Sequence, residues 1–140
     1  MSGKFVIDNS VTMAWCFADE ANPYADAALD HLSEHTAIVP SIWTLEVVNV
    51  LLAAERRKRL TQGDSIRFLT LLSALPIVVD HQEEKKMMKG LLALGRSSEL
   101  SGYDAAYLDL AMRNNCPIAT LDKKLLEAAN KADVPVLRNA

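Results

Sequence analysis

The chain has 140 residues, of which 50% are hydrophobic and 24% are charged, and these proportions predict one globular domain over residues 1–140. Fifteen Lys and Arg residues against eighteen Asp and Glu residues give a formal net charge of −3, which excludes a nucleic-acid binder that depends on a general positive field. The two cysteines, Cys16 and Cys116, are too few for the disulfide framework of a small secreted domain.

Short apolar runs along the chain predict five β-strands, because each run is too short for a helix and most are bounded by Pro, Asp or Asn. Helical patterns lie between them and have recognisable starts at Asn22, which precedes a proline, and at the capping-box spacings Thr61 to Asp64 and Ser101 to Asp104. This alternation predicts an α/β protein, a three-layer α/β/α fold with a central five-stranded parallel sheet. The predicted strands are residues 5–7, 38–39, 77–79, 118–119 and 134–137.

The segment 37–54 is very apolar and contains a single charged residue, Glu46. Pro40 interrupts it, so we predict a short strand followed by a buried helix rather than a membrane span. A carboxylate that is buried without a partner is costly, and Glu46 should therefore face a cation or a cleft. The residues around Lys4 and Asp8 lack the long apolar run of a secretory signal. We therefore expect a cytoplasmic protein that makes no membrane contact.

Three further acids stand where strands end or helices begin. Asp8 follows the first predicted strand, Asp122 follows the fourth, and Asp104 lies in the first turn of a predicted helix. Each of them alone is also explained as a helix cap. Parallel sheets place ligands beyond the carboxyl ends of their strands, so the three acids and Glu46 together predict a site for a hard divalent cation, Mg²⁺ or Mn²⁺. Such a site suits phosphodiester hydrolysis.

Four short motifs, taken in order along the chain, resemble those of PIN-domain ribonucleases of the VapC toxin type. The resemblance covers essentially the whole chain, including its length and the spacing of the last two acids. No single motif is specific, whereas the ordered set is. The motifs are Val6-Ile-Asp8-Asn-Ser10, Leu45-Glu46-Val-Val-Asn49, Tyr103-Asp104-Ala-Ala-Tyr107 and Thr120-Leu-Asp122.

The resemblance implies an endoribonuclease that depends on Mg²⁺ or Mn²⁺ and acts as the toxin of a toxin–antitoxin pair. RNA would be the substrate, a cognate antitoxin the protein partner, and a homodimer the assembly. By the same resemblance, the hydroxyls of Ser10 and Thr120 would bond a metal-bound water or a phosphate oxygen, the alternative being ordinary turn and cap chemistry. The catalytic and metal-binding residues would be Asp8, Glu46, Asp104 and Asp122.

A basic cluster follows the apolar helix, and it predicts either contacts to the RNA backbone or a solvated helix end that the helix dipole favours. Its members are Arg56, Arg57, Lys58 and Arg59. Apolar helical residues later in the chain should be mostly core, with some forming a groove for an antitoxin helix or a dimer face. These are Phe68, Leu69, Leu71, Leu72, Met87, Met88, Leu91 and Leu92.

Two other functions are compatible with parts of the sequence. The run from Asp8 to Thr12 resembles the opening motif of haloacid-dehalogenase-like phosphotransferases, but Ser10 stands where that motif has its second Asp. A PIN-like module that only binds, with its acids reduced to helix caps, is the non-catalytic alternative. Binding of Mg²⁺ or Mn²⁺ would distinguish a protein with a metal site from this inert module, because the ion stabilises the fold of the first and leaves the stability of the second unchanged.

Overall fold

A computed structural model describes residues 3–138 of the chain as an alternation of parallel strands and helices. A short 3₁₀ turn, Ala18–Glu20, links the first two helices. The strands are β1 (Lys4–Ile7), β2 (Thr36–Pro40), β3 (Ile77–Asp80) and β4 (Ile118–Ala119). The helices are α1 (Asn9–Cys16), α2 (Pro23–His31), α3 (Ile42–Arg56), α4 (Gln62–Ala74), α5 (Glu84–Ser98), α6 (Gly102–Asn114) and α7 (Lys123–Lys131).

The strands form one parallel sheet in the order β3-β2-β1-β4. Val6 of β1 is in register with Ile38 of β2 on one side and with Ile118 of β4 on the other. Three consecutive residues of β1, Phe5 to Ile7, are buried. Since successive side chains of a strand point to opposite faces, helices cover both faces at the centre of the sheet. The predicted α/β fold with a parallel sheet is therefore confirmed.

The predicted fifth strand is wrong, because the described residues form a four-stranded sheet. Residues 134–137 contribute only one isolated bridge, in which Val136 lies beside Ile118. The Ile118 N–H donates to the Pro135 carbonyl over 2.9 Å, and the Leu137 N–H donates to the Ile118 carbonyl over 2.8 Å. Pro135 has no N–H to extend such a ladder, and Asp133 just before it is in the left-handed conformation at φ 57°.

Helix caps form where the sequence predicts them. The Asn22 side chain caps α2, and Thr61 and Asp64 form a complete capping box at α4. At α6 only half of the predicted box is present: the Ser101 hydroxyl accepts from the Asp104 N–H, while within the described chain the Asp104 carboxylate accepts no hydrogen bond from the Ser101 N–H. The carboxylate of Asp104 is therefore left free for other contacts.

Helix α3 differs from the buried helix that its sequence predicts. One side packs on the core through a buried stripe that includes Trp43, Val47 and Leu51. The opposite side exposes Leu45 and Leu52, which retain 56% and 41% of their accessible surface. A helix that lies on a sheet buries only one stripe, so the apolar residues on its outer side stay exposed. Within residues 3–138, no helix combines the length and apolar character that crossing a membrane requires.

Candidate metal centre

Asp8 is the most buried of the predicted acids, with 4% of its surface exposed. It directly follows β1, and its backbone N–H donates to the Ala119 carbonyl at the end of β4 over 3.2 Å. Its side chain caps α1 by accepting from the Val11 N–H. The capping alternative is therefore correct for Asp8, but capping occupies only one of its carboxylate oxygens.

Two hydroxyls hold the Asp8 carboxylate in place. The Ser10 Oγ donates to Oδ1 over 2.6 Å, and the Thr120 Oγ1 donates to Oδ2 over 2.5 Å. Burial raises the pKa of Asp8 from 3.8 to about 6; the bonds from Ser10, Thr120 and Val11 lower it, and the charge of Asp104 raises it. Hydrogen bonds thus hold the carboxylate in place, while burial disfavours its charged form. A nearby cation would stabilise that charged form.

The same two hydroxyls tie together the ends of β1 and β4. The Ser10 Oγ accepts from the Leu121 N–H over 2.9 Å, and the Thr120 Oγ1 accepts from the Asp122 N–H over 2.9 Å. Asp122 in turn caps α7 through the Leu125 N–H. Ser10 and Thr120 therefore use ordinary turn chemistry, as the alternative predicts, and through it they set the position of Asp8 relative to Asp122.

Glu46 lies in the second turn of α3 and is half-buried. The hydroxyl of Tyr107, on α6, donates to Glu46 Oε1 over 2.5 Å. Burial raises the pKa of Glu46, the bond from Tyr107 lowers it, and the charge of Asp104 raises it. Within residues 3–138, Glu46 therefore has one hydroxyl donor and no ion-pair partner.

Asp104 has a charge interaction with each of the other three acids. Burial raises its pKa, and the charge of Asp122 raises it further, while the Ser101 hydroxyl and Lys124 lower it. The charge of Asp104 also raises the pKa of Asp8 and that of Glu46. The structure therefore brings the four predicted acids into one electrostatic neighbourhood, although they come from four separate parts of the chain.

The chemistry of this donor set fits a hard divalent cation. All four donors are carboxylates, and none of them takes part in an ion pair within residues 3–138; Lys124 acts on Asp104 only from beyond ion-pair distance. In the same residues, no three His, Cys, Asp or Glu side chains converge closely enough to hold an ion. The oxygen chemistry of these side chains, rather than a preformed cage of ligands, is therefore what fits a hard cation.

The basic cluster is divided by the structure. Arg56, Arg57 and Lys58 are exposed at the end of α3, where the helix dipole favours cations. Arg59 is instead paired: its Nη2 lies 3.1 Å from Asp19 and 3.2 Å from a Glu20 oxygen. Its guanidinium also stacks on the Phe17 ring, 4.1 Å from the ring centroid. Arg59 therefore has a structural role in addition to any contact with a ligand.

Two sets of side chains hold the site in place although the sequence did not predict them as site residues. Thr12 donates its hydroxyl to the Asp8 carbonyl over 3.1 Å, and the indole N–H of Trp43 donates to the Thr12 hydroxyl over 3.0 Å. This chain of bonds docks α3 on α1 beneath the acids. Tyr107 is the second support, and its position three residues after Asp104 is a signal that the sequence does contain, since residues so spaced lie on one side of a helix.

The PIN domain family model matches residues 5–131, and the chain therefore belongs to the PIN domain family. Proteins of this family are typically nucleases, and they are generally metal-dependent. None of the curated protein sequences matches the chain significantly.

Solved structures share its fold at low sequence identity. A chain of VapBC2 from Rickettsia felis, solved with a DNA fragment from the promoter, superposes with a TM-score of 0.69 at 11% identity, covering 96% of this chain and 97% of the other. A toxin–antitoxin complex from Klebsiella pneumoniae gives 0.65 at 17% identity with the same coverages. PAE2754 from Pyrobaculum aerophilum gives 0.68 at 20% identity, covering 91% and 87%.

Proposed function

We propose that this protein is an endoribonuclease that requires Mg²⁺ or Mn²⁺. The observation that carries the proposal is the neighbourhood around Asp104: the charge of Asp122 raises the pKa of Asp104, the charge of Asp104 raises the pKa values of Asp8 and Glu46, and no lysine or arginine of the described chain forms an ion pair with these acids. Membership of the PIN domain family supports nuclease chemistry. RNA rather than DNA as the substrate rests on the resemblance to VapC-type toxins.

Each acid has a role in this proposal. Asp8 and Asp104 would bind the ion directly, because Asp8 is held by two hydroxyls and Asp104 has a free carboxylate at the start of α6. Glu46 would bind the ion or orient a water, and Asp122 would complete the site or hold a second ion. A divalent ion in such a site lowers the pKa of a bound water and neutralises charge on a phosphate.

The proposed reaction is a direct hydrolysis that forms no covalent bond between the enzyme and the RNA. Water would attack the phosphorus in line, the bond from phosphorus to the 3′ oxygen would break, and a 5′-phosphate and a 3′-hydroxyl would remain. The four acids repel a phosphate when no cation is present, and the chain has a net charge of −3. Binding of RNA at the acids should therefore require the ion. Arg56, Arg57 and Lys58, which follow Glu46 by ten residues or more at the end of α3, would contact a more distant part of the RNA backbone.

The phosphotransferase alternative receives less support from the geometry. In that motif the second acid would have to donate a proton to a leaving group, and Ser10 cannot act as such an acid. Its hydroxyl instead donates to Asp8 itself. Turnover of small phosphate esters without cleavage of RNA would nevertheless favour this alternative.

We also propose that the protein is the toxin of a type II toxin–antitoxin pair and that its partner is an antitoxin. The folds of VapBC2 and of the Klebsiella pneumoniae complex support this. The expectation that the eight apolar helical residues are mostly core is wrong, because only Phe68 and Leu72 are buried. Four of the others are exposed and would be available to an antitoxin helix or to a second protomer. These four are Leu69, Leu71, Met88 and Leu92.

Cleavage of a 5′-labelled RNA by the purified chain tests the enzymatic proposal. We expect cleavage with Mg²⁺ or Mn²⁺, none with EDTA, and 3′-hydroxyl ends on the upstream product. Cleavage that survives EDTA would contradict the proposal. The binding-module alternative is tested separately by thermal unfolding: a metal site predicts that Mn²⁺ raises the melting temperature, and an inert module predicts no change.

A further inference from the structure

We propose that Tyr107 is a positioning residue of the candidate metal centre, because its hydroxyl fixes the carboxylate of Glu46 against α6. The inference rests on the proposed function, since it concerns the same acids. Through this bond a single helix would carry one acid of the site, Asp104, and also determine where a second acid stands.

The hydroxyl of Tyr107 has a specific use at this position. The side chain is 1% exposed, so its ring belongs to the core, where a phenylalanine would fill the same space. A buried hydroxyl is costly unless it is hydrogen-bonded. Its bond is to Glu46 Oε1 over 2.5 Å, and a bond from a hydroxyl to a carboxylate is short and stronger than a neutral one.

The bond connects two helices that would otherwise place their acids independently. Glu46 and Tyr107 are 61 positions apart, on α3 and α6. Asp104 and Tyr107 are three positions apart, so their side chains leave the same side of α6. Any tilt of α6 would therefore move Asp104 and the anchor of Glu46 together, which preserves the relation between the two carboxylates.

The bond also decides which part of Glu46 remains available. Tyr107 occupies Oε1, whereas no side chain or backbone group of the described chain donates to Oε2. A glutamate is a long side chain with several rotatable bonds, and holding one oxygen removes much of the freedom that it would lose on binding a cation. Partners that orient a metal ligand in this way typically contribute about 10–100-fold to metal affinity or activity.

Calorimetric titration with Mn²⁺ on the full chain tests this inference through a double-mutant cycle. Tyr107→Phe should weaken Mn²⁺ binding about 10–100-fold in the otherwise wild-type protein and should cause no further loss when Glu46→Ala is already present. Ser65→Ala is the matched control, because the buried Ser65 hydroxyl also donates to a glutamate on another helix, Glu55 Oε2 over 2.5 Å, and to none of the four acids. It should leave Mn²⁺ affinity unchanged.

The outcomes separate the two proposals. Equal Mn²⁺ affinity of wild type and Tyr107→Phe, or an equal loss with and without Glu46, would overturn the role of Tyr107 while leaving the proposed function intact. Mn²⁺ binding with the expected cycle but without RNA cleavage would overturn the proposed function and support Tyr107. If the wild type binds no Mn²⁺, both proposals fail.

A second measurement does not depend on the folding of Tyr107→Phe. Glu46→Ala leaves the buried hydroxyl without its acceptor, whereas Glu46→Gln keeps an oxygen in reach. Glu46→Ala should therefore melt several degrees below Glu46→Gln, although alanine is the better helix former. Equal melting temperatures would show that the hydroxyl does not need Glu46 and would overturn the inference.

Discussion

Thr120 and Asp8 lie 112 positions apart in the sequence, yet the Thr120 hydroxyl donates a 2.5 Å hydrogen bond to Oδ2 of Asp8. Oγ1 of Thr120 itself accepts from the Asp122 N–H. One threonine therefore connects the acid after β1 with the acid that begins α7. The parallel pairing of β1 with β4 makes this possible, since it brings both strand ends to one edge of the sheet.

Replacement of Thr120 by valine should weaken metal binding without unfolding the protein. Valine fills the same volume, but Asp8 loses a donor and the Asp122 N–H loses its acceptor, which should cost about 1–3 kcal/mol of unfolding free energy. The Mg²⁺ concentration for half-maximal cleavage should rise about 10–100-fold. Thr70→Val on α4 is the control, because the Thr70 hydroxyl bonds only the Ile66 carbonyl. Similar effects of both variants would argue against a role for the Thr120 hydroxyl.

The buried charge of Asp8 should make the metal-free protein less stable as the pH rises. Its folded pKa of about 6 lies above its ordinary value of 3.8, so between these values the folded state holds a proton that the unfolded state has lost. The contribution of Asp8 is therefore fully present below about pH 4 and lost as the pH passes about 6, by roughly 3 kcal/mol. Asp8→Asn removes this dependence and keeps a good helix cap.

Urea unfolding in EDTA at pH 4.5 and pH 7 measures the effect. The stability of Asp8→Asn relative to wild type should increase between the two pH values. Asp64 offers a control without this dependence, because its backbone and side-chain bonds with Thr61 lower its pKa below the ordinary 3.8. Asp64→Asn should keep a nearly constant stability relative to wild type from pH 4.5 to pH 7, because the folded and unfolded pKa values of Asp64 both lie below this range. A relative stability of Asp8→Asn that is constant or falls over this range would contradict the assignment of a raised pKa to Asp8.

The exposed cations after α3 should contribute to RNA binding through phosphate contacts. The combined change of Arg56, Arg57 and Lys58 to alanine should weaken binding and reduce the slope of log K against log salt by about 0.7 for each lost contact to single-stranded RNA. Anisotropy titrations in an Asp8→Asn background would avoid cleavage. Arg67→Ala is the control, since Arg67 is exposed but paired with Asp64. A salt slope that is unchanged by the triple variant would assign these cations to the helix end alone.

Local chemistry made much of this molecule predictable. Asp8 is recognisable because an acid directly after a buried strand must stand at the sheet edge, and Thr61 and Asp64 follow a capping pattern that needs no tertiary information. The confirmed parallel sheet follows from short apolar strands separated by helices.

The remaining features depend on contacts between distant segments. The run 134–137 has the composition of a strand, but Pro135 and the left-handed Asp133 leave it a single bridge to β4. Leu45 and Leu52 look like core residues until the neighbours of α3 are known. Tyr107 carries a polar atom whose acceptor lies 61 positions away, and no local pattern identifies such a partner.

The central claim is that the carboxylates around Asp104 act together on RNA, and a comparison of two variants of α6 tests it most directly. Asp104→Asn should lower the rate of Mg²⁺-dependent RNA cleavage more than about 100-fold, since even an outer partner of a metal ligand typically contributes 10–100-fold. Asp109 lies on the same helix but pairs with Arg113 rather than with the four acids. The Asp109→Asn variant should therefore cleave at close to the wild-type rate. Retention of wild-type cleavage by Asp104→Asn, or an equal loss in both variants, would contradict the account.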